Sequence, residues 1–182
     1  MQTIRLTTLI DAPVQRCFLL SLSVDLHILT AGVSGKRAIA GVTSGLLRAG
    51  QSVTWSGRHF GLRLRHTSLV DVVRPYNYFR DVMTHGHFAS FEHEHHFAPM
   101  DDGTRMRDVL RFTPPFGLFG RLMRNRLQKH LRNFLLERNT TLKRVAESEE
   151  WHQYLDSQPP LNLTPAAPVT PKAKTPKATR AR

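Results

Sequence analysis

Residues 116–147 carry an apolar stripe at helical spacing. Phe119, Leu122, Met123, Leu127, Leu131, Phe134, Leu135, Leu142 and Val145 recur at steps of three and four residues. Arg121, Arg124, Lys129, Arg132, Arg138 and Lys143 fall between them. This pattern predicts one long helix with an apolar face and a basic, solvated face. At ~1.5 Å per residue it would run roughly 48 Å. A helix that long needs an apolar partner along its length, and the rest of the chain must supply it.

What precedes it reads mainly as strands. Residues 2–10 alternate, with Ile4, Leu6 and Thr8 on one side and Arg5 and Thr7 on the other. Asp11-Ala12-Pro13 ends that strand. Pro13 suits the first turn of a helix with Asp11 as a nearby cap, and 13–21 and 23–30 read as two short helices. Strand candidates follow at 36–43, 51–60, 63–73, 76–84, 87–98 and 104–112. They are separated by turn signals at Ala49-Gly50, Gly61, Arg74-Pro75, Gly86 and Asp101-Asp102-Gly103. Short connections of this kind imply antiparallel hairpins. A single sheet facing one long helix solves its burial problem by curling around the helix. The expected fold class is therefore α+β: a curved antiparallel sheet of about seven strands, two short helices after the first strand, and a long C-terminal helix.

The 182 residues are enough for one domain with a real core. The boundary falls near 150. Residues 151–182 form a Pro/Ala/Lys-rich tail, and from Ser157 onward six of the chain's eleven prolines occur with no aromatic residue. Such a composition cannot offset its ordering entropy by burial, so 157–182 is expected to be disordered and 151–182 mostly so. Residues 157–182 supply +5 of the formal charge of +12, leaving +7 on residues 1–156. A basic surface attracts nucleic acid and anionic membranes weakly and without sequence preference. Cys17 is the single cysteine, which excludes an intramolecular disulfide and any multi-cysteine zinc site. No secretory signal or run of about 18 apolar residues is found, and the expected location is the cytoplasm.

Five segments carry a resemblance. They are IRLTTLIDAPVQRCFLLSLSVDLH, AIAGVTSGLLRAGQSVTWSGRHFG, FRDVMTHGHFASFEHEHHF, GTRMRDVLRF before Pro114-Pro115, and LLERNTTLKRVAE. Together with the element order, they resemble the START-like helix-grip superfamily (SRPBCC), in its polyketide cyclase/dehydrase and lipid-transport branch, and an uncharacterised cyclase-like subfamily there. The likeness spans about residues 2–147. It implies a cavity between sheet and C-terminal helix that binds a hydrophobic ligand, with catalysis in only some members.

Strand parity sorts the side chains around such a cavity. In 104–112, Arg105, Arg107 and Arg111 mark the solvent side with Val109, which turns Met106, Asp108, Leu110 and Phe112 inward. In 87–98, Phe91, His93, His95 and Phe97 share the inward face, against Glu92, Glu94 and His96. In 51–60, Trp55 and His59 point inward. In 76–84, Phe79, Asp81 and Met83 share a face. The candidate ligand-binding set is thus Trp55, His59, Asp81, Phe91, His93, His95, Met106 and Asp108. Buried polar groups cost on the order of 1–3 kcal/mol each unless paired. Three explanations fit this polar wall: Asp–His pairs that satisfy one another, a polar end to an apolar pocket, or a metal site built on the His93/His95 pair.

The first functional expectation is binding or transport of a small hydrophobic or amphipathic ligand, lipid- or polyketide-like, without a cofactor. A cyclase/dehydrase-type enzyme using an inward His/Asp pair as general acid and base is the alternative. A basic nucleic-acid or membrane-surface protein is a further one. Deleting 157–182 should leave the domain folded. A drop in thermal midpoint of more than about 5 °C, around a kcal/mol or more for a domain of this size, would contradict a disordered tail.

Overall fold

A computed structural model describes residues 1–30, 35–59, 61–114 and 123–156. For His59 it describes the backbone only. The first strand, β1 (Gln2–Ile10), leads into helices α1 (Val14–Leu22) and α2 (Val24–Leu29). Six strands follow: β2 (Arg37–Gly41), β3 (Ser52–His59), β4 (Leu62–Arg74), β5 (Tyr78–His85), β6 (Ser90–Met100) and β7 (Gly103–Thr113). The long helix α3 spans Arg124–Glu147. The expected positions 116–122, including Phe119, Arg121 and Leu122, lie outside the described residues, as does the tail from 157.

The sheet is antiparallel, in the order β1-β7-β6-β5-β4-β3-β2. Strands β2–β7 form a meander, and β1 pairs with the last of them, β7. Register shifts at Ala38/Ala40, Thr67/Ser68 and Val70/Val72 mark irregularities in the ladders. Such bulges bend and twist a strand, which helps the sheet wrap the helix. Pro13, not Asp11, occupies the N-cap position of α1, and no side chain caps it. Asp11 instead donates its backbone N–H to Glu147 Oε1 at 2.7 Å, tying the end of β1 to α3.

The core has two apolar clusters. The first gathers Ile10, Phe18, Leu22, Val53, Trp55, Phe79, Phe97, Met106, Leu142 and Val145. Phe18 sits edge-on to Phe79 and Phe97, with centroids 5.7 and 5.4 Å away. The second gathers Ile4, Leu6, Leu110, Phe112, Leu131 and Leu135. Arg105 and Arg107 are exposed, as strand parity requires, while Val109 on the same side is buried between the flanking strands. After α3 the chain makes a 3-10 turn at Glu149–Trp151 and a short helix, α4 (His152–Leu155). Trp151 packs on the first cluster with the Arg16 guanidinium 4.3 Å from its ring centre.

Gly103 opens β7 at φ 152°, and a Cβ there would run into the backbone of Ile10 and Asp11. Both the backbone angle and the close approach require glycine. Gly103→Ala is expected to cost more than about 1 kcal/mol, lowering the thermal midpoint by roughly 3 °C or more. An unchanged midpoint would contradict this close approach of β7 to the end of β1.

Candidate functional site

Between the two apolar clusters runs a belt of polar side chains. Thr8 comes from β1, Asp81 from β5, His93 and His95 from β6, Asp108 from β7, and Arg138 and Asn139 from α3. The register explains the convergence, because His95 lies opposite Asp108 and Asp81 opposite His93.

Asp108 is the centre of the belt and is fully enclosed. An ionised carboxylate only accepts, so its neighbours must donate. His93 Nε2 lies 2.9 Å from Oδ1, and Arg138 Nη1 lies 3.1 Å from the same oxygen. Asn139 Nδ2 donates to Oδ2 at 2.8 Å and to Thr8 Oγ1 at 3.1 Å. His95 Nδ1 is 3.0 Å from Oδ1, while its Nε2 lies 3.1 Å from Asp81 Oδ1. The His95 ring also stacks on Phe79 with centroids 4.1 Å apart. Burial alone would raise the Asp108 pKa. The Arg138 charge and the hydrogen bonds from His93 and His95 overcome that and hold it well below the usual carboxylate range. Burial likewise opposes ionisation of Asp81. The hydrogen bond from His95 and the nearby His93, His95 and His66 rings outweigh it and lower its pKa.

A cavity of about 180 Å³ opens beside this belt, between the sheet and α3. Trp55, Asp81, Phe91 and His93 line it. His95, Asp108 and Met106 are buried on the concave face but one layer deeper, behind the wall. The side chain of His59 lies outside the described set. The apolar wall is completed by Phe88, Leu110, Leu127, Leu131 and Leu135.

Polar lining residues beyond the expected set include Arg138, His27, Lys36 and His66. For Arg138 this is a correction. Its chemistry places it on the solvated face of the helix, yet it is 2% exposed and lines the cavity. Leu131, Leu135, Arg138, Leu142 and Val145 step by four, three, four and three, so Arg138 sits on the buried stripe itself. That spacing is readable in the sequence. His27 faces Trp55 from α2, with ring centroids 5.8 Å apart. Lys36 Nζ lies 3.9 Å from the Trp55 ring centre and 5.3 Å from that of Phe134. His66 lines the wall from β4 with Nε2 3.0 Å from Ser68 Oγ. No local pattern announces that His27, Lys36 and His66 reach the cavity.

Two of these groups carry shifted proton affinities. Burial, and then the positive charge of Arg138, push the Lys36 amine down to about 7, with Asp81 pulling the other way. Burial, then Arg138 and Lys36, hold His27 well below the ordinary histidine value. The inner end of the cavity therefore holds the Arg138 cation beside a lysine that loses its proton near neutral pH and a neutral His27 imidazole. Arg138 Nε, which is buried, has no hydrogen-bond partner among the described residues.

No protein-family profile matches the chain, and neither does any curated protein. Solved structures do. TTHA0849 from Thermus thermophilus superposes with a TM-score of 0.63 at 19% identity, covering 79% of this chain and 95% of that one. CV1439 from Chromobacterium violaceum gives 0.61 at 16% identity, over 81% and 99% of the two chains. The Zhui aromatase/cyclase from Streptomyces sp. R1128 gives 0.66 at 12% identity, over 86% and 98%. At these identities the likeness is one of fold, the helix-grip of a curved antiparallel sheet around a long helix. Among the described residues no helix is long and apolar enough to cross a membrane.

Two outcomes follow from the belt and its cationic rim. Arg138→Met removes the cation facing a fully enclosed carboxylate and should cost about 3–5 kcal/mol, on the order of 10 °C in thermal midpoint. A change of under about 2 °C would contradict the pairing. Lys36 and His27 both have folded pKa values below their unfolded ones, so the unfolded chain binds protons first. Stability is then lost as pH falls, through the window between about 10.5 and 7 for Lys36 and below about 6.5 for His27. The thermal midpoint should decline from pH 9 to pH 5.5, and Lys36→Met should flatten the part above pH 7. A wild-type midpoint that rises on acidification would contradict these assignments.

Proposed function

We propose that this protein binds a small hydrophobic or amphipathic molecule, lipid- or polyketide-like in character, in the cavity between sheet and α3. The observation that carries the reading is the pairing of an apolar wall with a cationic inner end. Trp55, Phe88, Phe91, Leu131 and Leu135 offer apolar surface. Arg138 and Lys36 offer donors, and the Arg138 Nε–H has no partner among the described residues. A carbonyl, phenolate or carboxylate oxygen on the ligand would accept from them. An apolar cavity of ~150 Å³ holds one benzene ring. The volume here thus favours a ligand portion of one or two rings, or a short acyl segment.

A second reading, cyclase- or dehydrase-type catalysis, is favoured by one observation. His93 lines the cavity and is backed by Asp108, and burial followed by the neighbouring His95 lowers its pKa. A neutral imidazole oriented by a carboxylate is the form that accepts a proton from a bound substrate. The aromatase/cyclase named above supports this by fold alone. Nothing in the cavity favours nucleic acid, and any such binding is expected to be weak, sequence-independent and salt-sensitive.

Titration with naphthoate, an aromatic carboxylate of suitable size, followed by calorimetry, tests the binding reading. Wild type should bind. Leu131→Trp, which fills the cavity, should weaken binding at least 10-fold, and Lys36→Met should weaken naphthoate more than uncharged naphthalene. Equal affinity in wild type and Leu131→Trp would place binding elsewhere and contradict the proposal.

A further inference from the structure

The belt places three groups around one point that the ligand reading does not use. Asp81, His93 and His95 each direct one ligand-capable atom inward, and all of these atoms lie within 4.8 Å of one another. Asp81 Oδ1 is 3.1 Å from His95 Nε2 and 4.0 Å from His93 Nδ1. A tetrahedral ion with bonds of about 2.0–2.1 Å has ligand–ligand edges near ~3.3 Å, which these two distances bracket. We propose that Asp81, His93 and His95 form a binding site for a divalent transition-metal ion such as Zn²⁺.

Two further features of the belt fit such a site. First, the opposite ring nitrogens are already engaged. His93 Nε2 and His95 Nδ1 lie 2.9 and 3.0 Å from the same oxygen of Asp108. Metal-bound histidines characteristically give their other N–H to a carboxylate, which fixes the tautomer and turns the free lone pair toward the ion. Asp108 is itself clamped by Arg138 and Asn139, so this support is rigid. Second, each nitrogen of His95 faces a carboxylate oxygen. A neutral imidazole has one N–H and satisfies only one of them. With Nε2–H on Asp81, Nδ1 faces the Arg138 Nη2 donor at 3.5 Å; an ion at Nε2 takes that proton's place and leaves the N–H at Nδ1, 3.0 Å from Asp108 Oδ1.

Asp81 and His93 line the cavity, so the remaining coordination positions open onto it. Water, or the oxygen of a cavity ligand, would fill them. Two imidazoles and a carboxylate are donors that suit zinc and its first-row neighbours better than calcium or magnesium.

The full-length protein, freed of metal by dialysis against a chelator, should be titrated with Co²⁺ alone. One Co²⁺ per chain should bind and give visible d–d bands. Proton NMR of that complex should show two solvent-protected, hyperfine-shifted imidazole N–H signals, from His93 and His95 against Asp108. Asp81→Asn should weaken binding at least 10-fold. His152→Gln removes a surface histidine that contacts Glu149 and Asp156, and it should leave binding unchanged. Absence of stoichiometric d–d bands, absence of the shifted N–H pair, or undiminished binding by Asp81→Asn would each overturn the proposal. The NMR signals need no variant, so the test survives a variant that fails to fold.

Discussion

A carboxylate with no exposure to water sets the terms for the whole site. Asp108 lies midway along β7, between Met106 of one apolar cluster and Leu110 of the other. Transfer of an unpaired carboxylate into such a place would cost far more than the net stability of a domain. His93, His95, Arg138 and Asn139 all meet it, and their demands propagate outward. Arg138 and Asn139 fix the rotation of α3 about its axis, because both must face β7. His93 and His95 fix the face that β6 turns inward, and Asp81 then follows on β5. A buried ion network of this kind is weak grounds for extra stability, since well-packed apolar residues often do as well or better. Such a network can instead orient what enters the cavity or hold an ion, the two roles proposed for it above.

The fold was legible because it rests on periodicities. Alternation in residues 2–10 and 104–112 and the stripe on α3 are each repeated several times, so single exceptions do not hide them. Turn residues such as Gly61 and Asp101-Asp102-Gly103 separate the hairpins. The inward face of β6 and β7 was legible for the same reason: period-two parity survives as long as no bulge intervenes, and β6–β7 pairs without a register shift from Ser90 to Met100. The depth of each inward residue was not legible. Parity says which side a residue faces, not whether it reaches the cavity or stops behind the wall, and Asp108 and His95 stop behind it.

Arg138 shows how charge misleads where spacing does not. Its chemistry groups it with the basic residues of the helix, although its position in the four-three pattern puts it on the buried stripe. Its burial makes sense only with Asp108 in view, 30 residues away in sequence. Lys36 is the harder case. It precedes β2 and reaches Trp55 on β3 and Phe134 on α3, a meeting created by the closure of the sheet over the helix and by nothing local. Cationic groups brought together in this way define the polar end of the cavity, and with it the chemistry of what can be held there.

The space between sheet and helix is proposed to hold a small molecule. Native mass spectrometry of the full-length protein, purified without denaturation, tests it most directly. One small-molecule adduct per chain is expected, released on collisional activation and missing when Leu131→Trp fills the cavity. A wild-type chain that flies at its bare mass, or an adduct retained at equal occupancy by Leu131→Trp, would contradict it.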